Sequence, residues 1–146
     1  MKLNTKMRYG TRALVALARH YQEGSVSLAE IARAEGLSEK YLESLFAALR
    51  SAGLVRSQRG ARGGYVLARP PEEVRLREVF DVLEGPEPYA PCTGDPGACP
   101  RRDHCATQHV WAKMYDASMQ VLESTTLAEL AARDTEPGVN VGMYCI

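Results

Sequence analysis

The sequence predicts a mostly α-helical fold that contains one small β-hairpin and a long helix in its C-terminal part. Three observations support this fold class. Apolar residues recur every three or four positions in several segments, as they do on the buried face of a helix. Two of those segments begin with Ser-x-x-Glu or Thr-x-x-Glu, which is the signature of a capping box. Two short segments of strand-forming residues flank a stretch of Arg and Gly, and this pattern predicts a hairpin.

The N-terminal half contains four predicted helices, of which the first covers residues 7–23 and the fourth residues 74–84. Between them, Ser27 caps a helix that ends at Gly36, and Ser38 caps the next one. The third helix carries an apolar stripe that is predicted to be buried: Leu42, Leu45, Phe46 and Leu49. Two short helices joined by a tight turn that contains glycine form a helix-turn-helix.

A hairpin follows the helix-turn-helix directly. Its strands are predicted at residues 54–57 and 65–68, and its tip reads Gln-Arg-Gly-Ala-Arg-Gly-Gly. A hairpin in this place is a wing, so residues 1–84 are predicted to form a winged helix-turn-helix DNA-binding domain. The charge distribution agrees, because residues 1–80 carry 14 Lys and Arg against 8 Asp and Glu, whereas residues 81–146 carry 4 against 10. A basic surface attracts phosphates.

The second helix of such a unit lies in the major groove and presents its N-terminal residues to the base edges. Ser, Lys and Glu side chains offer donors and acceptors to bases, and wing arginines suit a narrow minor groove. The predicted DNA-binding residues are Ser38, Lys40, Tyr41, Glu43, Arg59, Gly60, Arg62 and Gly63. Among them, Tyr41 is expected to pack inside the domain rather than to read a base. Each residue alone also fits ordinary solvated surface, but their order within a basic half favours DNA binding.

Residues 85–105 are predicted to form a polar loop that holds three of the four cysteines, Cys92, Cys99 and Cys105. The loop has too few apolar residues for a core, so a metal bound by thiolates is one source of order. The cysteine spacing lacks the tight pairs of structural zinc sites. Thiolates bind both zinc and iron–sulfur clusters, so a cluster, a zinc ion and free thiols all remain open at this point. The remaining cysteine, Cys145, is predicted to be a free thiol.

Residues 106–146 are predicted to contain a dimerisation helix and a tail. The helical pattern runs from about 103 to 123, and its apolar residues exceed what one small domain covers: Trp111, Met114, Tyr115, Met119 and Leu122. This excess indicates a homodimer. A second capping box at 126–129 opens a short helix through Ala132, and residues 134–146 are expected to be irregular.

Several classes of protein are not predicted. No stretch approaches the roughly 18 apolar residues of a membrane span, and the N-terminus lacks the apolar block of a signal peptide. The predicted location is the cytoplasm, where clustered cysteines are more often metal ligands or redox groups than disulfides. No Ser/His/Asp set, phosphate-binding loop or carboxylate pair indicates catalysis, so the chain is not predicted to be an enzyme.

These motifs resemble the IscR-type winged-helix transcription regulators of the Rrf family, over essentially the whole chain. The resemblance lies in residues 1–10, 36–43 and 53–65 and in the cysteine trio followed by Trp111. It implies a homodimer on a pseudo-palindromic operator of double-stranded DNA, with the long helix of one subunit crossing that of its mate. It also implies an iron–sulfur cluster held by the three cysteines of each subunit, with the 2Fe–2S type favoured and the 4Fe–4S type possible.

The fourth ligand of such a cluster is open. Some relatives have a His three residues after the third cysteine, where this chain has Gln108. The imidazole of His109 comes one residue later, which rotates it by about 100° on a helix. His104 and a residue of the partner subunit are the other candidates.

The resulting hypothesis is a DNA-binding transcription regulator, with repression favoured, gated by an iron–sulfur cluster that senses iron, oxygen, nitric oxide or redox state. Incomplete or non-cysteine ligation makes a cluster easy to lose, which suits a sensor. One alternative is the same regulator with a zinc or thiol-redox site. Another is a small iron–sulfur electron carrier.

Overall fold

The computed structural model describes residues 3–60, 63–85, 90–95 and 97–134. Its helices are α1 (Thr5–Arg19), α2 (Leu28–Glu35), α3 (Glu39–Ser51), α4 (Leu76–Leu83), α5 (Pro91–Gly94), α6 (Gln108–Ser124) and α7 (Leu127–Asp134). Between α3 and α4, strands β1 (Val55–Gln58) and β2 (Gly64–Leu67) pair antiparallel, and short 3-10 turns lie at Pro71–Glu73 and Arg102–His104. The predicted fold class, mostly helical with one hairpin, is confirmed.

The helix-turn-helix forms as its capping residues predict. Ser27 Oγ accepts the Glu30 backbone N–H at 3.2 Å, and the Glu30 carboxylate accepts the Ser27 backbone N–H at 2.8 Å. Gly36 ends α2 with a φ of 64°, a left-handed conformation that glycine adopts without steric cost. Ser38 Oγ then accepts the Tyr41 N–H at 3.4 Å and begins α3.

The core lies under α3 and joins the helices to the wing. The predicted stripe of α3 is buried, and none of its four side chains is more than 3% exposed. The Phe46 ring packs against Tyr65 of β2 with ring centroids 4.8 Å apart. Burial of each such side chain contributes about 1.5–3 kcal/mol, so this stripe fixes α3 firmly to the domain.

The base of the wing is also attached to the segment that precedes α2. Val26 and Tyr65 form an isolated antiparallel bridge with N···O distances of 3.0 and 2.9 Å. A Cβ on Gly64 would lie 2.4 Å from the carbonyl oxygen of Val26, so only glycine fits at this crossing. The wing therefore has a fixed position relative to the helix-turn-helix.

Helix α1 lies against α4 and is tied to its end. A Cβ on Gly10 would lie 2.3 Å from Leu83 Cδ1, so the absence of a side chain allows the two helices to approach. Asn4 caps α1 through Met7 N–H at 2.8 Å, and its own backbone N–H donates to the Glu84 carboxylate. The start of α1 is thus fixed where the chain leaves α4 for the cysteine loop.

The C-terminal helices return to the winged domain. The Leu76 N–H donates to Thr125 O at 2.9 Å, and the Leu127 N–H donates to Val74 O at 3.0 Å. Thr126 and Glu129 form the predicted second capping box, with both N–H···O distances at 3.2 Å. These contacts anchor the end of α6 and the start of α7 beside α4.

Several helix boundaries differ from the sequence prediction, and α4 covers Leu76–Leu83 rather than residues 74–84. Helix α1 ends at Arg19 rather than near residue 23, because the chain turns there and Gln22 has a φ of 69°. Helix α6 begins at Gln108 rather than near residue 103, because Cys105 has extended dihedral angles that interrupt helical hydrogen bonding. Helix α7 reaches Asp134, two residues beyond the prediction, and residues 135–146 lie outside the described part of the chain.

Candidate nucleic-acid interface and cysteine loop

The first turn of α3 forms an exposed polar surface. Ser38, Lys40 and Glu43 are all exposed, while the opposite face of the helix is buried. Ser38 Oγ accepts a backbone N–H as the helix cap, so its own O–H proton remains available to an outside acceptor. Donors and acceptors of the kind that bases recognise therefore lie together at the helix start.

Tyr41 points into the domain. It is half-buried and packs against the core, and its ring meets the Tyr9 ring edge-on with centroids 6.2 Å apart. This contact is the packing role that the sequence favoured for Tyr41. A base contact by this residue stays a prediction.

The described residues of the wing tip form a tight turn. Gly60 has a φ of 136°, and the Gly63 N–H donates to its carbonyl at 2.9 Å. Arg59, Gly60 and Gly63 are all exposed. Arg62, the second predicted wing arginine, lies outside the described residues.

The arginines and lysines near this surface divide into paired and unpaired groups. Three arginines are held by carboxylates, in the pairs Arg12–Glu35, Arg69–Glu78 and Arg77–Asp81. Lys40, Arg56 and Arg59 are exposed and form no ion pair with any residue that the structure describes. A cation without an internal carboxylate keeps its charge available for a phosphate.

The three cysteines lie in a series of short turns between α4 and α6. Cys92 is in α5, Cys99 precedes the 3-10 turn and Cys105 follows it, and all three are partly buried free thiols. In the described ranges, no three His, Cys, Asp or Glu side chains are grouped so that they could hold a metal ion. The predicted ligands are therefore not gathered into one site.

The donor set nevertheless suits an iron–sulfur centre, because three reduced thiols are soft ligands of the type that such clusters require. The backbone hydrogen bonds of the loop are local as far as it is described. They join residues three or four apart, as in Asp95 N–H to Pro91 O at 3.1 Å and Arg102 N–H to Cys99 O at 3.1 Å. A segment held by such contacts can rearrange at low cost.

Cys105 has a polarised thiol. Its Sγ lies 3.4 Å from Thr107 Oγ1. This hydrogen bond, together with the backbone N–H groups of Thr107 and Gln108, lowers the pKa of the Cys105 thiol, and the charge of Arg101 acts in the same direction. The thiolate is the form that binds metals and reacts with oxidants, so a lowered pKa favours both reactions at Cys105.

The candidates for a fourth ligand surround Cys105 along the chain. His104 and His109 are exposed, and Gln108 begins α6 with its backbone N–H on Cys105 O at 3.2 Å. In the described part of the chain, neither histidine belongs to a group of three or more His, Cys, Asp and Glu side chains that could hold a metal ion. Thr107 was missed in the sequence, although a hydroxyl two residues after a cysteine is a readable signal.

Helix α6 presents an apolar stripe to the outside. The exposed fractions are 42% for Val110, 42% for Trp111, 46% for Met114 and 62% for Val121. Other apolar residues that the sequence suggested for an interface are used inside the chain: Met119 is buried, and Tyr115 and Leu122 pack against the core. An exposed apolar stripe on one helix is typical of an interaction surface.

Comparison with known proteins identifies the family. Residues 3–133 match the Rrf2 family model, described as an iron-dependent transcriptional regulator. The chain belongs to this family. It is 42% identical over 132 residues to the HTH-type transcriptional regulator CymR of Bacillus subtilis, which covers 90% of this chain and 91% of that protein.

Solved structures agree with this membership. The structure of CymR, the global cysteine regulator of B. subtilis, matches with a TM-score of 0.78 and 41% identity, over 91% of this chain and 98% of that chain. T. potens IscR matches with a TM-score of 0.76 and 43% identity, over 93% and 89%. An oxidized form of Staphylococcus aureus CymR matches with a TM-score of 0.73 and 40% identity, over 90% and 96%.

Family membership confirms the resemblance to Rrf-type regulators and the prediction that the chain is not an enzyme. It also establishes transcriptional regulation through DNA as the general activity of this protein's family. Within the described residues, no helix is both long and apolar enough to cross a bilayer.

Proposed function

We propose that this chain is a homodimeric, sequence-specific DNA-binding regulator, with repression favoured, whose grip on an operator is set by an iron–sulfur centre on Cys92, Cys99 and Cys105. The observation that carries the proposal is the first turn of α3. It is exposed and capped, and it displays a cation that no carboxylate of the described residues pairs with, in a family of iron-dependent transcriptional regulators.

The DNA-binding domain, residues 1–84, reads a duplex with α3 and the wing. Ser38, Lys40 and Glu43 contact base edges in the major groove. Arg59 and Arg62 enter the minor groove, with Gly60 and Gly63 allowing the backbone to approach.

Selection of duplexes from a random-sequence library by the full chain tests the reading of DNA. We expect one pseudo-palindromic sequence to be enriched. Lys40→Ala should weaken binding and change the base preference, whereas Lys113→Ala, on exposed α6, should change neither. If the wild-type chain enriches no duplex sequence, the proposed sequence-specific DNA binding is contradicted.

The second copy of the chain is the proposed occupant of the stripe on α6, within the dimerisation segment 106–146. Two copies joined there present two winged domains to two half-sites. Such half-sites are spaced by one helical turn of DNA, about 34–36 Å, or by multiples of it.

The cysteine loop, residues 85–105, provides the regulation. Three thiolates per subunit would hold the cluster, with His109, His104, Gln108 or a residue of the partner subunit as fourth ligand, and the 2Fe–2S type is favoured over 4Fe–4S. When bound, the cluster supplies a centre that iron supply, oxygen, nitric oxide or redox state alters.

The attachment of α6 suggests how the loop acts on DNA binding. The end of α6 is anchored beside α4 through Thr125, and its start lies three residues after Cys105. If the three thiols were gathered on one centre, the start of α6 would move while its anchored end stayed in place. The helix would then change direction relative to the winged domain, and the separation of the two domains in the proposed dimer would change with it.

Purification without oxygen, followed by iron and sulfide analysis, tests the centre. We expect a brown protein whose affinity for the selected duplex differs between the iron-loaded and stripped forms. Cys99→Ser should lose the iron, whereas Cys145→Ser should keep it. Protein without iron would contradict the cluster, and equal affinities of the two forms would contradict the gating.

The same regulator with a thiol-redox site is the second candidate. It is favoured by the hydrogen bond from Thr107 that lowers the pKa of Cys105, and by the similarity to a CymR that has been solved in an oxidized form. This candidate predicts a colourless protein whose DNA affinity responds to peroxide and is restored by a thiol reductant. A zinc site also predicts a colourless protein, but one that a chelator alters.

A further inference from the structure

Arg12 of α1 grips the end of α2 at the turn of the helix-turn-helix. Its Nε donates to the Glu35 carboxylate at 2.7 Å, and its Nη2 donates to the Glu35 backbone carbonyl at 3.1 Å. Glu35 is the last residue of α2, directly before the left-handed Gly36. One side chain therefore satisfies both a carboxylate and a free carbonyl of the helix end.

Contacts through Tyr9 connect the same guanidinium to the start of α3. Arg12 lies over the Tyr9 ring at 5.8 Å from its centroid, and Tyr9 meets Tyr41 edge-on at an interplanar angle of 89°. Tyr41 is in the first turn of α3, and its N–H is the one that Ser38 accepts. A continuous set of contacts thus joins the end of α2, α1 and the turn that displays Ser38.

The contacts of Arg12 indicate orientation rather than stability or phosphate binding. Its side chain is 50% exposed, and an ion pair with such exposure contributes little to folding. Unlike Lys40 and Arg59, it is already committed to an internal carboxylate. A planar fork that bonds two oxygens and also lies over a ring is something that Arg provides and Lys does not.

We infer that Arg12 is a positioning residue for DNA recognition. It fixes the angle between α2 and the first turn of α3, so that Ser38, Lys40 and Glu43 meet the base edges together. It acts through Tyr9 and Tyr41 and does not itself contact DNA. This inference rests on the proposed function, because it concerns the same recognition turn.

Two substitutions of the full chain test this role. Arg12→Met removes the guanidinium but keeps the length of the side chain, and Arg12→Lys keeps only the charge. Arg77→Met is the matched control, because Arg77 bonds Asp81 one turn along the same helix at 2.9 and 3.0 Å. The probes are the duplex selected by the wild-type chain and a scrambled duplex of the same composition, each titrated over a range of salt concentrations.

Both Arg12 variants should lose about tenfold in affinity for the selected duplex, the loss that one misplaced base contact gives. Their affinity for the scrambled duplex, the slope of affinity against salt and the melting temperature should match those of Arg77→Met. This pattern separates positioning from a structural role, because lost stability does not change the ratio of specific to non-specific binding in folded protein.

Two results would overturn the inference. Wild-type behaviour of Arg12→Lys, with a salt slope reduced by about one unit in Arg12→Met, would make Arg12 a phosphate contact. If both Arg12 variants bind the selected duplex as tightly as Arg77→Met does, Arg12 has no role in recognition.

If Arg12→Met does not fold, the test uses Arg12→Lys and Glu35→Gln instead. The ratio of specific to non-specific affinity in these two variants then decides whether Arg12 positions the first turn of α3. If the wild-type chain selects no duplex, the proposed function fails and the inference falls with it. Selection by the wild-type chain with unchanged Arg12 variants overturns only the inference.

Discussion

At Cys105, a hydroxyl two residues along the chain changes the chemistry of a thiol. Thr107 Oγ1 lies 3.4 Å from the sulfur and stabilises its ionised form. A loop cysteine that ionises readily is a better metal ligand and a better nucleophile than one in plain solvent. The cysteine loop therefore contains a thiol that ionises readily, irrespective of whether iron, zinc or an oxidant reacts with it.

Thr107→Val removes this hydrogen bond and should raise the pKa of Cys105. The reaction of Cys105 with iodoacetamide should then begin at higher pH, because less thiolate is present at any given pH. Site-resolved mass spectrometry of alkylation against pH measures the effect. Thr107→Ser keeps the hydroxyl and should follow the wild-type curve, and a Thr107→Val curve that coincides with it would refute the assignment.

The residue contacts that the sequence does not reveal are those between distant positions. Ser38 and Lys40 could be assigned to the first turn of α3 because a cap and the residues after it lie within four positions of each other. The pairs Arg12–Glu35 and Tyr9–Tyr41 join residues more than 20 positions apart, and no local pattern marks them. They exist only because the core brings α1 against the two helices.

Among the elements, the capped helices are the most predictable. Both capping boxes form, because they need only the residues of one turn. The sequence prediction starts α6 too early. Cys105 has a non-helical conformation, but no Gly or Pro beside it indicates this in the sequence. The arrangement of the cysteine loop could not be predicted either, since short turns with local hydrogen bonds have no periodicity.

Ser27→Ala should cost about 1 kcal/mol of unfolding free energy near neutral pH, because α2 loses its cap. The hydrogen bonds from the Ser27 side chain and backbone lower the pKa of Glu30 from its ordinary value of 4.5. A lowered pKa stabilises the fold above the ordinary value, and this stabilisation is lost as pH falls through the pKa of the folded state.

Urea unfolding of the wild-type chain and Ser27→Ala near neutral pH and at about pH 3 measures this linkage. The difference between the two proteins should narrow in acid, because protonated Glu30 no longer accepts the hydrogen bonds of the cap. A difference that stays constant would show that Glu30 takes no part in the pH dependence of α2.

At the base of the wing, Gly64→Ala should destabilise the fold by about 1–3 kcal/mol, because the new methyl group meets the Val26 carbonyl. Gly97→Ala is the control, since a Cβ there lies at an ordinary 3.4 Å from its nearest neighbour, an Asp95 oxygen. Denaturant titration of both variants provides the comparison. Equal unfolding free energies would mean that β2 can move away from Val26 freely.

Across the whole molecule, the excess of basic residues and the apolar stripe lie in different halves of the sequence. The basic half holds the first turn of α3 and the wing, whereas the acidic half holds the cysteine loop and the apolar stripe of α6. Phosphates repel acidic surface, so in the proposed complex the acidic half would favour an approach with the winged domain toward the duplex. The stripe of α6 would then stay away from the DNA and could meet a second copy of the chain.

Met114→Glu, in the centre of that stripe, should give a monomer in sedimentation and weaken operator binding by about 100-fold or more, because two linked domains no longer bind together. Lys113→Glu, the exposed neighbouring residue, changes the charge outside the stripe and should leave the dimer intact. A Met114→Glu protein that remains dimeric would place the interface elsewhere.

The position of Trp111 gives the molecule a built-in optical probe. It is the only tryptophan in the sequence, and it lies on the exposed side of α6 six residues after Cys105. The wavelength of its emission maximum depends on how much water surrounds the indole ring, so association of two copies can be followed during dilution without an added dye. A visible-absorbing centre on the nearby thiols would quench that emission, which lets assembly and cofactor loading be followed in a single cuvette.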